Sequence, residues 1–197
     1  DATARFGFSP TARLDAELLM AHALGIDRNA LLLDMERPVP PTFAGLVERR
    51  AAHEPVAYIT GTRGFWTIDL SVGPGALVPR PDSETLLIAA LAHFGNRAPA
   101  TVLDLGTGPG TLLLAALDEW PARGIGVDRS AQALAYATSN AVTLGMAHRT
   151  AFVRGDWAAA IDARFDLVLA NPPYIGTDEP LPDEVRRHEP GSALFAG

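Results

Sequence analysis

The stretch "VLDLGTGPGT", residues 102–111, joins a short apolar run to three alternating glycines. The apolar run predicts a buried strand. The glycines predict a sharp turn in which the backbone can approach a ligand closely, because glycine has no Cβ. The spacing is G-x-G-x-G and not the G-x-G-x-x-G of many dinucleotide sites. The stretch alone therefore predicts either a ligand-binding loop or only a tight strand-to-helix connection.

Around this stretch, short apolar segments alternate with amphipathic ones from Arg80 onward. The predicted strands are "TVLDL", "GIGVD", "TAFVRGD" and "FDLVLA", and the predicted helices are "PDSETLLIAALAHF", "TLLLAALDEW" and "SAQALAYATSNAVTLG". Short apolar strands joined by amphipathic crossovers are typical of a parallel sheet covered by helices on both faces. Residues 80–197 are therefore predicted to form an α/β domain.

The first part of the chain has the pattern of a small helical bundle. Ser9, which precedes a proline, predicts a helix start, and Gly25 predicts the end of that helix. Asp27 predicts the cap of a second helix that reaches Met35, and Thr42 predicts the cap of a third.

Three parts follow from these patterns. Residues 1–61 are predicted to be helical, and residues 80–197 form the α/β domain. Between them, residues 62–79 contain "GFWTIDLSV", whose β-branched and aromatic residues predict a β-hairpin that links the two parts.

Polar and aromatic residues follow the other predicted strands. Asp128 ends one, Asp156 and Trp157 end the next, and Asn171-Pro172-Pro173-Tyr174 follows the last. Because the carboxyl ends of parallel strands lie along one edge of a sheet, we expect these residues to share a ligand site with the glycines. Asp128 is suited to ribose hydroxyls, and Asp156 and Trp157 to an adenine. The alternatives are a helix cap for Asp128, a loop Trp packed under a helix, and a rigid turn for the prolines.

The motif Asn171-Pro172-Pro173-Tyr174 resembles that of amino-methyltransferases that act on planar nitrogens, and this resemblance implies how it would work. The lone pair of an amide or aryl-amine nitrogen is delocalised, so such a nitrogen is a poor nucleophile. Asn171 Oδ1 and the Pro172 carbonyl are expected to accept its two hydrogens, while Tyr174 stacks on the flat group. Each proline fixes φ at about −65°, so the acceptors are held in place before the substrate arrives.

Composition excludes several classes of function. Net charge is −7 with 16 basic residues, all of them Arg, which disfavours a protein that neutralises many nucleic-acid phosphates. The absence of Cys excludes disulfides and Cys-zinc sites, and the scattered His residues have no metal-site spacing, so no metal is expected. Every apolar run is shorter than the roughly 20 residues of a membrane helix. We expect a cytoplasmic monomer with no membrane or direct nucleic-acid partner.

The strand-end pattern resembles the class I S-adenosylmethionine-dependent methyltransferases, which have a Rossmann-like fold. An ordered set of segments further resembles the HemK/PrmC family, which methylates the N5 nitrogen of the glutamine in the Gly-Gly-Gln motif of peptide chain release factors. The segments are "PVAYITG", "GFWTIDLSV", "LVPRPDSET", "NPPYI" and "HEPGSALFAG". The resemblance implies that S-adenosyl-L-methionine is the cofactor, S-adenosyl-L-homocysteine the product, and release factors the partners, bound by residues 1–61.

The resemblance also implies a role for each site residue. The cofactor-binding residues would be Gly106, Thr107, Gly108, Pro109, Gly110, Asp128, Asp156, Trp157 and Asn171. The glutamine would be bound by Asn171, Pro172, Pro173 and Tyr174, with Asn171, Pro172 and Tyr174 catalytic. Arg80 and Glu84 are candidates for lining the approach, or alternatively a hinge and a helix cap.

The chain departs from the family pattern at a few points. Pro109 replaces a small residue, Ser83 replaces Thr, and His188 replaces an aromatic residue. A class I fold carries a fifth strand and an antiparallel hairpin after this point, so the C-terminal strands are expected to be missing from this sequence, and we do not expect it to be active alone.

Other functions remain open from the residues alone. An adenine-N6 or other nucleic-acid methyltransferase would use the same clamp, but it predicts a basic groove. A nicotinamide-linked oxidoreductase predicts G-x-G-x-x-G. A binding protein without activity would not require both the glycine loop and the Asn-Pro-Pro-Tyr motif.

Overall fold

The protein is described by a computed structural model that covers residues 1–34, 36–159 and 161–196. The helices of these residues are α1 (Ala2–Arg5), α2 (Ala12–Leu24), α3 (Arg28–Leu33), α4 (Thr42–Ala51), α5 (Val56–Thr60), α6 (Glu84–Phe94), α7 (Thr111–Glu119), α8 (Ala131–Thr143), α9 (Asp183–His188) and α10 (Gly191–Leu194). The strands are β1 (Thr62–Phe65), β2 (Ile68–Ser71), β3 (Thr101–Leu105), β4 (Arg123–Asp128), β5 (Thr150–Arg154) and β6 (Leu167–Ala170).

The chain divides into two compact units. The helical unit contains Asp1–Gly61 and Leu181–His188, and the α/β unit contains Thr62–Pro180 and the residues from Glu189 onward. Helix α9 therefore belongs to the helical unit, although it follows the last strand of the sheet in sequence. The three-part division 1–61, 62–79 and 80–197 stays a prediction.

Two of the three helix starts predicted in the helical unit are wrong. Helix α2 begins at Ala12 and its N-cap residue is Thr11, not Ser9. The Ser9 hydroxyl accepts from the Thr11 N–H at 3.2 Å, before the helix, and donates to Asp15 Oδ2 at 2.8 Å. Helix α4 begins at Thr42 itself, so the Thr42 side chain cannot be its cap.

The other helix boundaries agree with the sequence. Asp27 caps α3, because its Oδ1 accepts from the Ala30 N–H at 2.9 Å. Gly25 ends α2 in a left-handed conformation with φ of 66°, which glycine adopts without strain. Helix α3 ends at Leu33, so the extension predicted beyond it is absent at Asp34, and Met35 lies outside the described residues.

A buried guanidinium connects α9 to the rest of the helical unit. Arg50, in α4, is 3% exposed; it donates to Asp15 Oδ2 at 2.9 Å and to Glu184 Oε2 at 2.7 Å. It also donates to the Glu54 carbonyl at 3.0 Å. Since a buried charge is tolerated only when it is paired, these contacts explain why a helix from late in the chain packs here.

The α/β unit contains the predicted parallel sheet. Its strand order within the described residues is β5-β4-β3-β6, and every neighbouring pair is parallel. Leu105 is paired with Val127 on one side and with Ala170 on the other. The register therefore places the ends of β3, β4 and β6 side by side, directly before the residues predicted to form the site.

Helix α7 lies against this sheet and is apolar around its whole circumference. Residues 112–117 are all buried, as expected of a helix surrounded by protein. Gly124 of β4 permits the close approach, because a Cβ there would lie 2.5 Å from Leu113 Cδ1. The glycine loop before α7 is thus fixed to a rigid support.

The predicted antiparallel hairpin is present as β1 and β2, although its second strand ends at Ser71 and not near residue 78. Its turn is fixed by carboxylates of the α/β unit. The Trp66 indole donates to Glu119 at 2.5 Å, and the Thr67 hydroxyl donates to Asp118 at 2.6 Å.

In the part of the chain that the structure describes, none of the helices has the length and apolar character needed to cross a bilayer.

Candidate active site

A cavity of about 520 Å³ opens at the carboxyl edge of the parallel sheet. Nine of the predicted site residues lie together along this cavity, as expected from the sequence. The predicted residues that line the cavity are Gly106, Thr107, Gly108, Pro109, Asp128, Asp156, Trp157, Asn171 and Pro173. Gly110, Pro172 and Tyr174 are not among the lining residues: Gly110 is the N-cap residue of α7, and Pro172 and Tyr174 are exposed.

The glycine loop is a left-handed turn held by backbone hydrogen bonds. Gly106, Gly108 and Gly110 have φ values of 72°, 57° and 88°, which residues with a Cβ rarely adopt. The N–H groups of Gly106 and Thr107 both donate to the Val127 carbonyl, at 2.9 and 3.0 Å. The loop is therefore preformed, and its residues 106–109 line the cavity.

Asp128 fastens this loop to the neighbouring strand. Its Oδ2 accepts from the Gly108 N–H and its Oδ1 from the Ser130 N–H, each at 2.8 Å. The cap of α8 is Ser130, whose hydroxyl accepts from the Ala133 N–H at 3.1 Å. Asp128 is therefore not merely a helix cap. Each carboxylate oxygen has a further lone pair for a ligand hydroxyl.

Asp104 is a site residue that the sequence analysis missed. It is 1% exposed, yet it lines the cavity, and Oδ2 accepts from the Thr107 hydroxyl at 2.6 Å and the Leu113 N–H at 3.2 Å. Its Oδ1 is buried without a hydrogen-bond partner among the described residues. Burial raises the pKa of Asp104 to about 6, against the lowering effect of these two donors. The available signal was a single acid inside the apolar run "VLDL".

Trp157, in the loop that follows β5, has a strained backbone. Its φ is 48°, which is uncommon for a bulky residue, and its side chain is 47% exposed beside the cavity. The alternative of a Trp packed under a helix is therefore wrong. Strain of this kind persists where the surrounding structure requires it, often at ligand sites.

Asn171 lies at the end of β6, half-buried and on the wall of the cavity. Its Nδ2 donates to Ser83 Oγ at 3.0 Å. The following segment is held by backbone pairing, since the Ile175 N–H donates to the Leu194 carbonyl at 3.1 Å. Tyr174 is 72% exposed, so its ring is accessible to a guest group that approaches Asn171.

The "PRPDSE" and "EPGSALF" segments both contribute residues to the cavity lining, and Glu189 joins them. Glu189, another residue that the sequence analysis missed, accepts from Arg80 Nη2 at 2.5 Å and from the Val78 N–H at 3.1 Å. Arg80 lines the cavity, whereas Glu84 accepts from the Trp66 N–H at 3.1 Å and so supports the hairpin. Among the described residues, no group of three or more His, Asp or Glu side chains is arranged to hold a metal ion.

Comparison with known proteins shows the family to which this chain belongs. Residues 1–61 match the PrmC N-terminal domain, and residues 97–188 match a methyltransferase domain. A release factor glutamine methyltransferase of Cereibacter sphaeroides is 46% identical over 97% of this chain and 69% of its own length. This chain belongs to the release factor glutamine methyltransferase family.

Two further members of the family are similar over most of the chain. The release factor glutamine methyltransferase of Rhodospirillum rubrum is 45% identical over 94% of this chain and 59% of its own length. That of Caulobacter vibrioides is 42% identical over 93% of this chain and 66% of its own length. The chain thus spans about three fifths to two thirds of these relatives. Together with the parallel sheet, the family assigns the class I methyltransferase fold.

Asn140, in α8, is a buried polar residue that supports the glycine loop in this family member. Its Nδ2 donates to the carbonyls of Pro109, at 2.9 Å, and Ser71, at 3.1 Å, while its Oδ1 accepts from the Ser71 N–H at 2.8 Å. It is 1% exposed. One side chain therefore joins β2 to the loop and compensates for burying these backbone groups.

Asn140→Ala is expected to lower the free energy of unfolding by about 2–4 kcal/mol, because it leaves several buried backbone groups unpaired. Urea denaturation of the full-length protein measures the change. Asn96→Ala, at an exposed asparagine, is the matched control and should change stability by less than about 0.5 kcal/mol. Equal stability of the two variants would contradict the supporting role.

Proposed function

We propose that this chain holds the site at which a methyl group passes from S-adenosyl-L-methionine to the N5 amide nitrogen of the glutamine in the Gly-Gly-Gln motif of release factors. The supporting observation is that Asn171 lines the same cavity as the glycine loop and Asp128. The other product is S-adenosyl-L-homocysteine. Relatives with 42–46% identity carry the name of this activity, and they support the choice of glutamine over adenine.

The residues around the cavity fit this cofactor. A volume of about 520 Å³ lies within the usual range for ligand sites. Asp104 and Asp128 place two carboxylates at the cavity, and one oxygen of Asp104 has no partner among the described residues. Carboxylates suit a ligand that carries positive charge and ribose hydroxyls.

The chain contributes positioning and electrostatics to the reaction. Asn171 Oδ1 and the Pro172 carbonyl accept the two hydrogens of the glutamine amide and direct its nitrogen into the cavity. When bound, the cofactor supplies a methyl group whose bonding electrons to sulfur stay with sulfur, while the glutamine nitrogen forms the new bond and releases one proton to solvent. As this nitrogen gains positive character, the two carbonyl dipoles stabilise it.

The aromatic ring of Tyr174 completes the glutamine site. It is largely exposed, so it can pack against the flat amide without displacing other protein groups. Pro172 and Pro173 restrict the backbone directly after Asn171 and around the Pro172 carbonyl. Less conformational freedom is therefore lost when the substrate binds.

The proposal extends to the partner and the domain limits. Residues 1–61 form the domain that binds the release factor, residues 62–79 the hairpin, and residues 80–197 the methyltransferase domain. Leu33 and Val39 are 89% and 64% exposed, so the helical unit presents apolar surface that suits a protein partner. The cytoplasmic location and the monomeric state belong to the same proposal.

Mass spectrometry of a release factor after incubation with the full-length enzyme and cofactor tests this function. We expect one added methyl group on the glutamine of the Gly-Gly-Gln motif and none on a release factor whose motif reads Gly-Gly-Ala. Duplex DNA and ribosomal RNA are tested in parallel with labelled cofactor. Transfer to adenine in either nucleic acid, without transfer to the release factor, would contradict the proposal.

The strained backbone of Trp157 allows its two roles to be separated. Trp157→Gly and Trp157→Ala both remove the ring and should weaken cofactor binding several-fold by calorimetric titration. The Gly variant should nevertheless be more stable than the Ala variant by about 1 kcal/mol, because only alanine retains the strain of a positive φ. Unchanged cofactor affinity in both variants would remove Trp157 from the site.

A further inference from the structure

Ser83 is the last residue of a 3-10 turn, Pro81–Ser83, that leads directly into α6. Its backbone is already helical, and its side chain makes no capping hydrogen bond to the helix backbone. The residue is 9% exposed and lines the cavity. Its hydroxyl instead accepts from Asn171 Nδ2 at 3.0 Å, across 88 residues of sequence. Helix capping therefore does not explain why a hydroxyl is present at this position.

The contact matters because an asparagine side chain can present either of two faces to a ligand. Its amide has an acceptor oxygen and a donor NH2 group, and rotation about the last bond exchanges them. A substrate amide that brings two N–H hydrogens needs the oxygen. In the structure, Nδ2 of Asn171 is bonded to Ser83, which leaves Oδ1 as the group available to accept.

We propose that Ser83 is a positioning residue for glutamine methylation, because its hydroxyl holds the Asn171 amide with its oxygen available to the substrate. This inference rests on the proposed function and adds a residue that acts through Asn171 without touching the reacting atoms. An acceptor held in the correct orientation increases the fraction of bound substrate that is in a reactive geometry. Loss of the Ser83 hydroxyl should therefore lower kcat more than it weakens substrate binding.

Two isosteric substitutions isolate the hydroxyl. Ser83→Thr keeps the hydroxyl and adds a methyl group. Ser83→Val has the shape of the threonine variant but lacks the hydroxyl. Because both replacements are β-branched and of similar volume, their difference reports the hydrogen bond and not packing at the start of α6. Ser83→Ala adds a variant in which the hydroxyl is removed without added bulk.

The experiment measures kcat, KM and cofactor affinity of the full-length enzyme with a release factor substrate. We expect kcat to fall roughly tenfold in Ser83→Val and Ser83→Ala, as for the loss of one positioning hydrogen bond. Ser83→Thr should stay within about twofold of the wild type, and KM and cofactor affinity should change less than about threefold in all of them.

A second readout does not depend on activity. The side-chain NH2 signals of Asn171, assigned by their loss in Asn171→Asp, should exchange with water roughly tenfold faster in Ser83→Val than in Ser83→Thr. Equal turnover of the Thr and Val variants, or equal exchange of their Asn171 signals, would overturn the positioning role. If the wild type methylates no release factor, the proposed function fails, and the exchange rates still decide whether Ser83 holds Asn171.

Discussion

Asn171→Ala is expected to lower kcat for glutamine methylation by about a hundredfold or more while leaving cofactor affinity within about threefold. The variant removes one of the two acceptors that orient the substrate nitrogen. Asn171 is half-buried at the edge of the cavity, and its single side-chain hydrogen bond to described residues goes to Ser83, so the loss should affect chemistry more than folding.

Single-turnover kinetics with a release factor and calorimetry with the cofactor measure the two effects separately. Asn96→Ala, at an exposed asparagine that does not line the cavity, is the control and should behave as the wild type. Normal methyl transfer by Asn171→Ala would mean that the substrate nitrogen is oriented by other groups. A large loss of cofactor affinity would instead place Asn171 in the cofactor site alone.

Asp104→Asn is the second substitution with a large expected effect, and it should change stability and ligand binding in opposite directions. At pH 7.5 cofactor affinity should fall at least about tenfold, because a buried negative charge beside a positively charged ligand is lost. Without cofactor, Asp104→Asn should have a higher free energy of unfolding than the wild type, because the variant does not bury an ionised carboxylate.

The pH dependence gives the sign of this stability effect. The pKa of Asp104 is raised from 3.8 to about 6 on folding, so the folded protein binds this proton more tightly than the unfolded chain. The resulting contribution is fully present below pH 3.8 and is lost as pH rises through about 6, with a total on the order of 3 kcal/mol. Urea denaturation between pH 4 and 7 should show this decline relative to Asp104→Asn.

Cofactor binding should show the complementary dependence. A bound positive charge favours the ionised carboxylate, so binding releases a proton near pH 6 and affinity rises with pH until Asp104 is ionised in the free protein. Calorimetry in buffers of different ionisation enthalpy measures the released proton. If the wild type and Asp104→Asn release the same number of protons, Asp104 does not face the cofactor.

Features encoded by local pattern could be predicted from the sequence. The strands β3 to β6 are apolar runs, and the glycine loop uses left-handed conformations that strongly favour glycine, so both were evident before the structure. Parallel topology places the carboxyl ends of the strands along one edge of the sheet. It therefore predicted that one cavity would bring together Asp128, Trp157 and Asn171.

Features that depend on distant contacts could not be predicted in this way. Glu189 pairs with Arg80 across 109 residues, and Asn140 reaches Ser71 across 69. Each is an ordinary polar residue in its local segment, and its role exists only once the chain has folded. Asp104 was missed for a related reason, because one acid in an apolar strand gives no sign of facing a cavity.

The helical unit illustrates the same limit. Helix α9 has the local pattern of any short charged helix, and its place beside α4 depends on the pairing of Glu184 with the buried Arg50. The Ser9 and Thr42 caps failed because sequence preference names residues that can cap a helix, whereas tertiary contacts decide which of them do.

A structure of the full-length enzyme with S-adenosyl-L-homocysteine and a glutamine-containing release factor domain would show directly whether Asn171 and Pro172 orient the glutamine nitrogen. We expect the glutamine N5 nitrogen to lie about 2.7–3.2 Å from both Asn171 Oδ1 and the Pro172 carbonyl oxygen and to face the sulfur of the cofactor product. A glutamine amide bound elsewhere, or one whose oxygen and not its nitrogen faces Asn171, would contradict it.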